Sequence, residues 1–296
     1  MTVLVLGSTG NVGPHVVKAL VDQQVATRVL TRDAARASHI LPAGIEICEG
    51  DPGDDGTVLS AAAGATSVFL LTGHAHDMTD LQLRIIRALR RTGARIVKLS
   101  ATSSAIKPGA PYTCRQHWEI EQVLVASGQP YSVVRPNAFM QTLIDNIMLP
   151  AVSATGKIPN ALGASGISLI DAQDVGEVCA AVLTESRWEG ETVVLTGPRP
   201  VTFREIATLI SGETGRDIGI VDITPADVRE TLLARGVEPW EAEHFEEMYQ
   251  LFRDGDSEFV SDDVERVLGR PPRSVENYLH ERRESLASAT KPVRPR

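Results

Sequence analysis

Three glycines at a fixed spacing constrain this chain most. Gly7-Ser8-Thr9-Gly10-Asn11-Val12-Gly13 follows an apolar run, Thr2–Leu6, and leads into Val12, His15, Val16, Ala19 and Leu20, which recur at helical spacing. A strand that turns through glycines into a helix is the opening unit of a parallel α/β sheet. Each glycine has its own task there. Gly7 permits the tight turn, Gly10 removes a side chain where backbone must approach a phosphate, and Gly13 lets the helix pack closely on the sheet. The turn and helix start, through Thr9, Asn11 and Val12, then offer free N–H groups and a partial positive charge to a bound pyrophosphate. The alternative is a tight strand-to-helix turn that holds no ligand.

The rest of the chain repeats this rhythm as far as Pro136. Strand-like runs recur at Ala26–Thr31, Ile45–Cys48, Ser67–Thr72, Arg95–Ser100 and Tyr131–Arg135, with helical stretches at Gly56–Ala63, Asp80–Thr92 and His117–Ser127. The alternation predicts an α/β fold, a Rossmann-like doubly wound parallel sheet with right-handed crossovers. Beyond Pro136 helical segments dominate, at Gln141–Leu149, Asp174–Glu185, Thr202–Gly212, Pro225–Arg235 and Pro239–Phe252. The short pieces Ser168–Asp171 and Glu191–Leu195 are expected to return to the first sheet. The expected division is therefore an NADP-binding domain over 1–150 and a smaller, mostly helical C-terminal substrate lobe over 151–296, with 166–196 returning to the sheet. In that lobe the acidic residues of 238–247 read as a solvated helix face, with Trp240, Phe245, Met248, Tyr249 and Phe252 opposite as core or lid. Ala287–Arg296 reads as a frayed tail.

Composition narrows the partners. The 296 residues carry 29 Lys and Arg against 38 Asp and Glu, a formal charge of −9. An acidic chain is a poor non-specific binder of nucleic acid. No apolar run reaches membrane-spanning length, and no charged leader precedes Thr2–Leu6. Cys48, Cys114 and Cys179 are scattered and form no C-x-x-C, so neither a disulfide framework nor a structural zinc is expected. These features point to a cytoplasmic protein, monomer or homodimer, acting on a small molecule without nucleic acid, membrane or metal.

The end of the second strand chooses the cofactor. A carboxylate there favours NAD, whereas an arginine suits the 2′-phosphate of NADP. The strand ends Leu30-Thr31-Arg32, so NADP is expected, with NADPH preferred over NADH; the plainer reading pairs Arg32 with Asp33 as a solvated loop charge. Asp51 closes the third strand, either beside the adenine or as a turn cap. Ligands in such sheets lie beyond the C-terminal strand ends. That places Leu71, Thr72 and Gly73 at the ribose, Ser100 and Ala101 with Thr102 and Ser103 near the nicotinamide, and Pro136, Asn137 and Phe139 after the sixth strand. His117 and Glu121 share a helix face, from which His117 could bond the ribose or relay a proton. His74 and His76 read as loop histidines.

Gly7–Gly13, Thr31-Arg32-Asp33, Gly50-Asp51, Leu99-Ser100-Ala101, Arg135–Phe139 and Ile170–Val175 together resemble an NmrA-like member of the atypical short-chain dehydrogenase/reductase superfamily. The resemblance implies an NADPH-dependent reductase of quinones, imines or enones. Because the family also holds catalytically silent proteins, the alternative is a regulator that senses NADP(H). The superfamily's Tyr-x-x-x-Lys is departed from: four residues after Tyr112 stands Gln116, which cannot lower a phenol pKa. The candidate catalytic side chains are thus His117, Tyr112 and Ser100. Their weak acid chemistry favours acceptors that take hydride without a strong proton donor.

Overall fold

Strand β1 (Thr2–Leu6) is apolar and buried from Val3 onward because both of its faces are covered there. In this computed structural model, which describes residues 1–290, it lies inside a seven-stranded parallel sheet, third from one edge. The other strands are β2 (Ala26–Thr31), β3 (Glu46–Glu49), β4 (Ser67–Leu70), β5 (Arg95–Leu99), β6 (Tyr131–Pro136) and, at the far edge, Thr192–Leu195. Helices α1 (Gly13–Asp22), α2 (Ala34–Ile40), α3 (Asp55–Ala61), α4 (Met78–Leu89) and α5 (Tyr112–Ala126) connect the first six. The spatial order β3-β2-β1-β4-β5-β6 makes the chain reverse direction across the sheet between β1 and β4. The fold is the Rossmann-like doubly wound α/β sheet anticipated above.

Side-chain alternation divides the core. Leu4, Leu6, Val68, Leu70 and Ile96 point to one face and pack against Ile85, Leu89, Ile120 and Leu124 of α4 and α5. Burying each such side chain contributes about 1.5–3 kcal/mol. Helix 172–184 lies against α1 so closely that a Cβ on Gly176 would sit 2.4 Å from the Cβ of His15. The buried Arg95 guanidinium donates to the carbonyls of Val182 and Glu185 at the end of that helix, at 2.5 and 2.9 Å.

Contacts group the chain into two units. The first comprises 1–136, 172–195 and 263–270; the second comprises 137–171, 196–262 and the residues from Pro271 onward. Of the segments expected to return to the sheet, Thr192–Leu195 pairs with β6. Ser168–Asp171 does not form a strand there. Gly166–Ile167 pairs antiparallel with Val201–Thr202 in the second unit, and Ile170 makes one bridge to Phe139. With polar Ser168 between them, these residues supply too short an apolar run to compete for the sheet edge. A second small ladder, Lys157–Asn160 beside Gly219–Asp222, joins the helices of this unit.

The segment after Met140 winds as a π-helix over Gln141–Met148 and then as α-helix over Leu149–Thr155, past the expected end at Leu149. The wider turn accommodates Pro150, whose ring would clash with an ordinary helical carbonyl. Helix α5 starts at Tyr112, five residues before the predicted start. Helix Arg283–Ala289 runs three residues into the expected frayed tail of 287–296, and residues 291–296 of that tail lie outside the described residues.

Candidate functional site

The point where the strand order reverses holds a cavity of about 380 Å³. In open α/β sheets this crevice, beyond the carboxyl ends of the strands, is where ligands bind. Gly7, Ser8 and Thr9 after β1, Thr31 and Arg32 after β2, and Asp51 after β3 line it; Leu71, Thr72 and Gly73 after β4 complete that rim.

The three glycines turn out to have different causes. Gly7 has φ +69°, and a Cβ there would meet the Leu71 carbonyl at 2.7 Å. A Cβ on Gly13 would lie 2.2 Å from the Gly7 carbonyl, so Gly13 makes room for the turn itself rather than for helix-on-sheet packing. Packing within the protein therefore accounts for both. It does not account for Gly10, whose Cβ would meet only the Gly7 carbonyl, at 3.5 Å. Beside it the Ser8 hydroxyl is buried with no hydrogen-bond partner among the described residues. Helix α1 has Val12 at its N-cap, with no side-chain cap and no acidic residue in its first turn. An anion fits this combination: open space over a main-chain turn, an unsatisfied hydroxyl, and a helix start without competing carboxylates.

Arg32 is exposed on the cavity wall, and Arg84 of α4 joins it there. Asp33 caps α2 by accepting from the Arg36 amide at 2.8 Å, a local role that leaves Arg32 facing the cavity. Arg36 reaches back and donates to the Thr9 carbonyl at 3.4 Å. Asp51 lines the cavity and also accepts from the Gly53 amide at 2.9 Å, so its wall position and its turn-closing role coexist. The Thr72 hydroxyl accepts from the buried Gln82 amide at 2.9 Å.

Helix α5 carries the acid–base candidates. The Tyr112 hydroxyl donates to the His76 carbonyl at 3.0 Å, and the Gln116 amide donates to the same carbonyl at 2.8 Å. The Tyr112 ring stacks on the His76 ring at 5.2 Å. Tyr112 and Gln116 thus both bind the loop after β4 through one carbonyl. The Thr113 hydroxyl lies 3.2 Å from His74 Nδ1. Deeper in, Ser100 donates to Glu121 at 2.5 Å, and Glu121 pairs with Arg135 at 2.5 Å. His117, one turn before Glu121, has its Nδ1 2.8 Å from the Nζ of Lys98, which is wholly buried on β5 and also donates to the Leu99 carbonyl at 3.0 Å. Burial pushes Lys98 down to about 7, against the opposing pull of Glu121 and with a smaller push from Arg135.

The NmrA-like family profile matches residues 1–279. The chain belongs to the NmrA-like family. An NAD(P)H azoreductase of Xenophilus azovorans is 28% identical over 276 residues, covering 93% of this chain and 96% of the relative. A (4-alkanoyl-5-oxo-2,5-dihydrofuran-3-yl)methyl phosphate reductase of Streptomyces griseus is 29% identical over 286 residues, covering 96% and 99%. Among solved structures, the NADPH-dependent quinone oxidoreductase of Escherichia coli complexed with NADPH superposes with a TM-score of 0.84 at 21% identity, covering 97% of this chain and 99% of that one. At that identity the likeness speaks for the fold.

In this NmrA-like chain, Lys98, Arg36 and Arg84 escaped sequence reasoning. Lys98 left a trace, a cation in the interior of Arg95-Ile96-Val97-Lys98-Leu99, where both of its neighbours are apolar. Arg36 and Arg84 left none, because helix surfaces are full of arginines and only the fold says which face the crevice. Pro136 ends β6 in the first unit. Asn137 and Phe139 open the second: Asn137 donates to the Ser257 carbonyl at 3.0 Å and caps its own turn through the Ala138 amide, while Phe139 is half-buried. Among the described residues no group of three or more His, Cys, Asp or Glu is arranged to hold a metal, and no helix is long and apolar enough to cross a membrane.

Proposed function

We propose that this protein is an NADPH-dependent oxidoreductase that delivers hydride to an electron-poor acceptor such as a quinone, an azo compound, an imine or an enone. The observation that carries this reading is Gly10, whose missing side chain leaves space over the turn that no protein atom uses. Relatives that match more than nine-tenths of the chain are named as NAD(P)H azoreductase and as a reductase, which agrees with it.

When bound, the reduced nicotinamide supplies the hydride. The chain's own part is to hold, orient and shield. The Gly7–Gly13 turn would take the pyrophosphate on the main-chain amides of Thr9, Asn11 and Val12, with the Ser8 hydroxyl as a further donor. Arg32, with Arg84, would pair with a 2′-phosphate and set the preference for NADPH. Asp51 would border the adenine, and Leu71, Thr72 and Gly73 the ribose. Ser100, Ala101, Pro136, Asn137 and Phe139 are the further candidates on the nicotinamide side.

His117 is our candidate for the proton that accompanies hydride. With Lys98 donating to Nδ1, the ring proton is assigned to Nε2. Tyr112 is a weaker candidate, because its hydroxyl is bonded to the His76 carbonyl and Gln116 carries no charge. Such a site suits acceptors whose reduced form is a stabilised anion or that arrive already protonated.

The test is steady-state oxidation of NADPH and NADH with a benzoquinone, an azo dye, a cyclic imine and a simple ketone. Turnover of the first three with NADPH is expected, and turnover of the ketone alone would overturn the reading of the acceptor. Arg32→Ala should cut the NADPH-over-NADH preference in kcat/KM by about tenfold. Tight NADPH binding without turnover of any acceptor would make the protein a cofactor sensor instead.

A further inference from the structure

The second unit contains a cavity of its own, about 570 Å³ in volume. It lies among the π-helix and the helix after it, the Lys157–Asn160 and Gly219–Asp222 ladder, and helices 225–234 and 239–253. Ile147, Val221, Ile223, Leu232 and Phe245 form apolar walls that are only part-buried, Val221 being 43% exposed. A volume in the range of organic-ligand sites, lined by half-covered aliphatic and aromatic groups, suits a ring system.

Polar groups give the cavity a direction. Tyr249 lines it and is 5% exposed, yet its hydroxyl has no hydrogen-bond partner among the described residues. Desolvation is the one cause that pushes this phenol up to about 12, so it stays a neutral O–H donor at working pH. The wall also carries Lys157 and Arg235, both exposed and neither ion-paired among the described residues. The one wall carboxylate, Asp227, is committed to the Thr224 hydroxyl and amide, and those bonds hold it below the usual carboxylate range. An O–H donor at an apolar wall and two unmatched cations call for an acceptor-bearing, negatively charged guest.

From this geometry we infer that the cavity of the second unit binds a ring-bearing organic anion, such as an aryl carboxylate or sulfonate, with its rings against Phe245 and Leu232 and its polar end toward Tyr249, Lys157 and Arg235. The inference does not depend on pyridine-nucleotide binding, because every residue it uses belongs to the second unit.

The experiment titrates the full chain with 1-anilinonaphthalene-8-sulfonate, and with the uncharged N-phenyl-1-naphthylamine, by fluorescence and calorimetry. NADPH affinity and melting temperature are measured on the same samples. The sulfonate should bind one to one and more tightly than the neutral amine. The double variant Lys157→Ala/Arg235→Ala should weaken the sulfonate by about tenfold and leave the amine unchanged. Tyr249→Phe should weaken the sulfonate by about three- to tenfold. Leu232→Trp, which fills the cavity, should abolish binding of both probes. No saturable sulfonate binding, or equal binding in wild type and in the charge-removed double variant, would overturn the inference. The double variant changes only exposed side chains, so it decides the matter even if Leu232→Trp lowers the melting temperature. NADPH affinity unchanged in all variants would show separately that the nucleotide site stands.

Discussion

Two glycines of one motif make opposite demands. Gly13→Ala forces a Cβ to within 2.2 Å of the Gly7 carbonyl, and both partners are backbone. The turn must shift, at an expected loss of about 2 kcal/mol or more, read as a lowered denaturant midpoint. Gly10→Ala meets nothing closer than 3.5 Å. It should change stability by less than about 1 kcal/mol while weakening NADPH by at least about tenfold, measured by calorimetric titration. An equal loss of stability in both variants would remove the support Gly10 lends to a nucleotide site.

Lys98 gives the residue scale a pH dependence. Its ordinary value of 10.5 falls to about 7 in the folded chain, chiefly through burial. Between those values the unfolded chain holds a proton that the folded chain has released, so unfolding takes up a proton there. Stability should therefore rise as pH increases from about 7 to 10.5, and the penalty of burying the charge is fully in force below about 7. The groups that face Lys98 are His117 and Glu121 on α5 and Arg135 on β6. Chemical unfolding of wild type and Lys98→Met across this window checks the point: the variant should lose the slope. A wild-type profile that is already flat would mean that Lys98 keeps its ordinary titration.

At the scale of elements, α2 shows how one cap serves a site. Asp33 accepts from the Arg36 amide and starts the helix, and the same turn carries the Arg36 side chain back to the Thr9 carbonyl. Asp33→Ala should cost about 1 kcal/mol in a denaturant melt, the usual worth of an N-cap. Asp33→Asn keeps an acceptor and should restore most of it. If Ala and Asn behave alike, the cap contributes nothing measurable. The first strands and helices were legible because period-2 and period-3.6 patterns report local burial. The start of α5 was not: Tyr112 and Gln116 are tied down by the His76 carbonyl, a partner some 40 residues away in the chain. Ser168–Asp171 had the composition of a strand, but its apolar run was too short to compete for the sheet edge.

At the scale of the whole molecule, a ligand that binds only the folded chain stabilises it by mass action. NADPH at about one hundred times its dissociation constant should raise the unfolding free energy by about 2.7 kcal/mol, visible as an upward shift in thermal melting. NADH at the same concentration should do less if Arg32 reads the 2′-phosphate. No shift with either nucleotide would remove the basis for the proposed activity.

The sequence by itself determined the sheet, its parallel sense and the glycine turn, because strand, turn and helix signals are local and their alternation admits one handed crossover. It also placed Arg32 directly after the second strand. Tertiary structure alone decided that Gly13 accommodates the turn while Gly10 faces open space. It alone brought Lys98 to His117 across nineteen residues, and it set Lys157, Arg235 and Tyr249 around one cavity. Those pairings depend on which faces of distant segments meet. A burial pattern read along one chain says that a side chain is covered, and it is silent about what covers it.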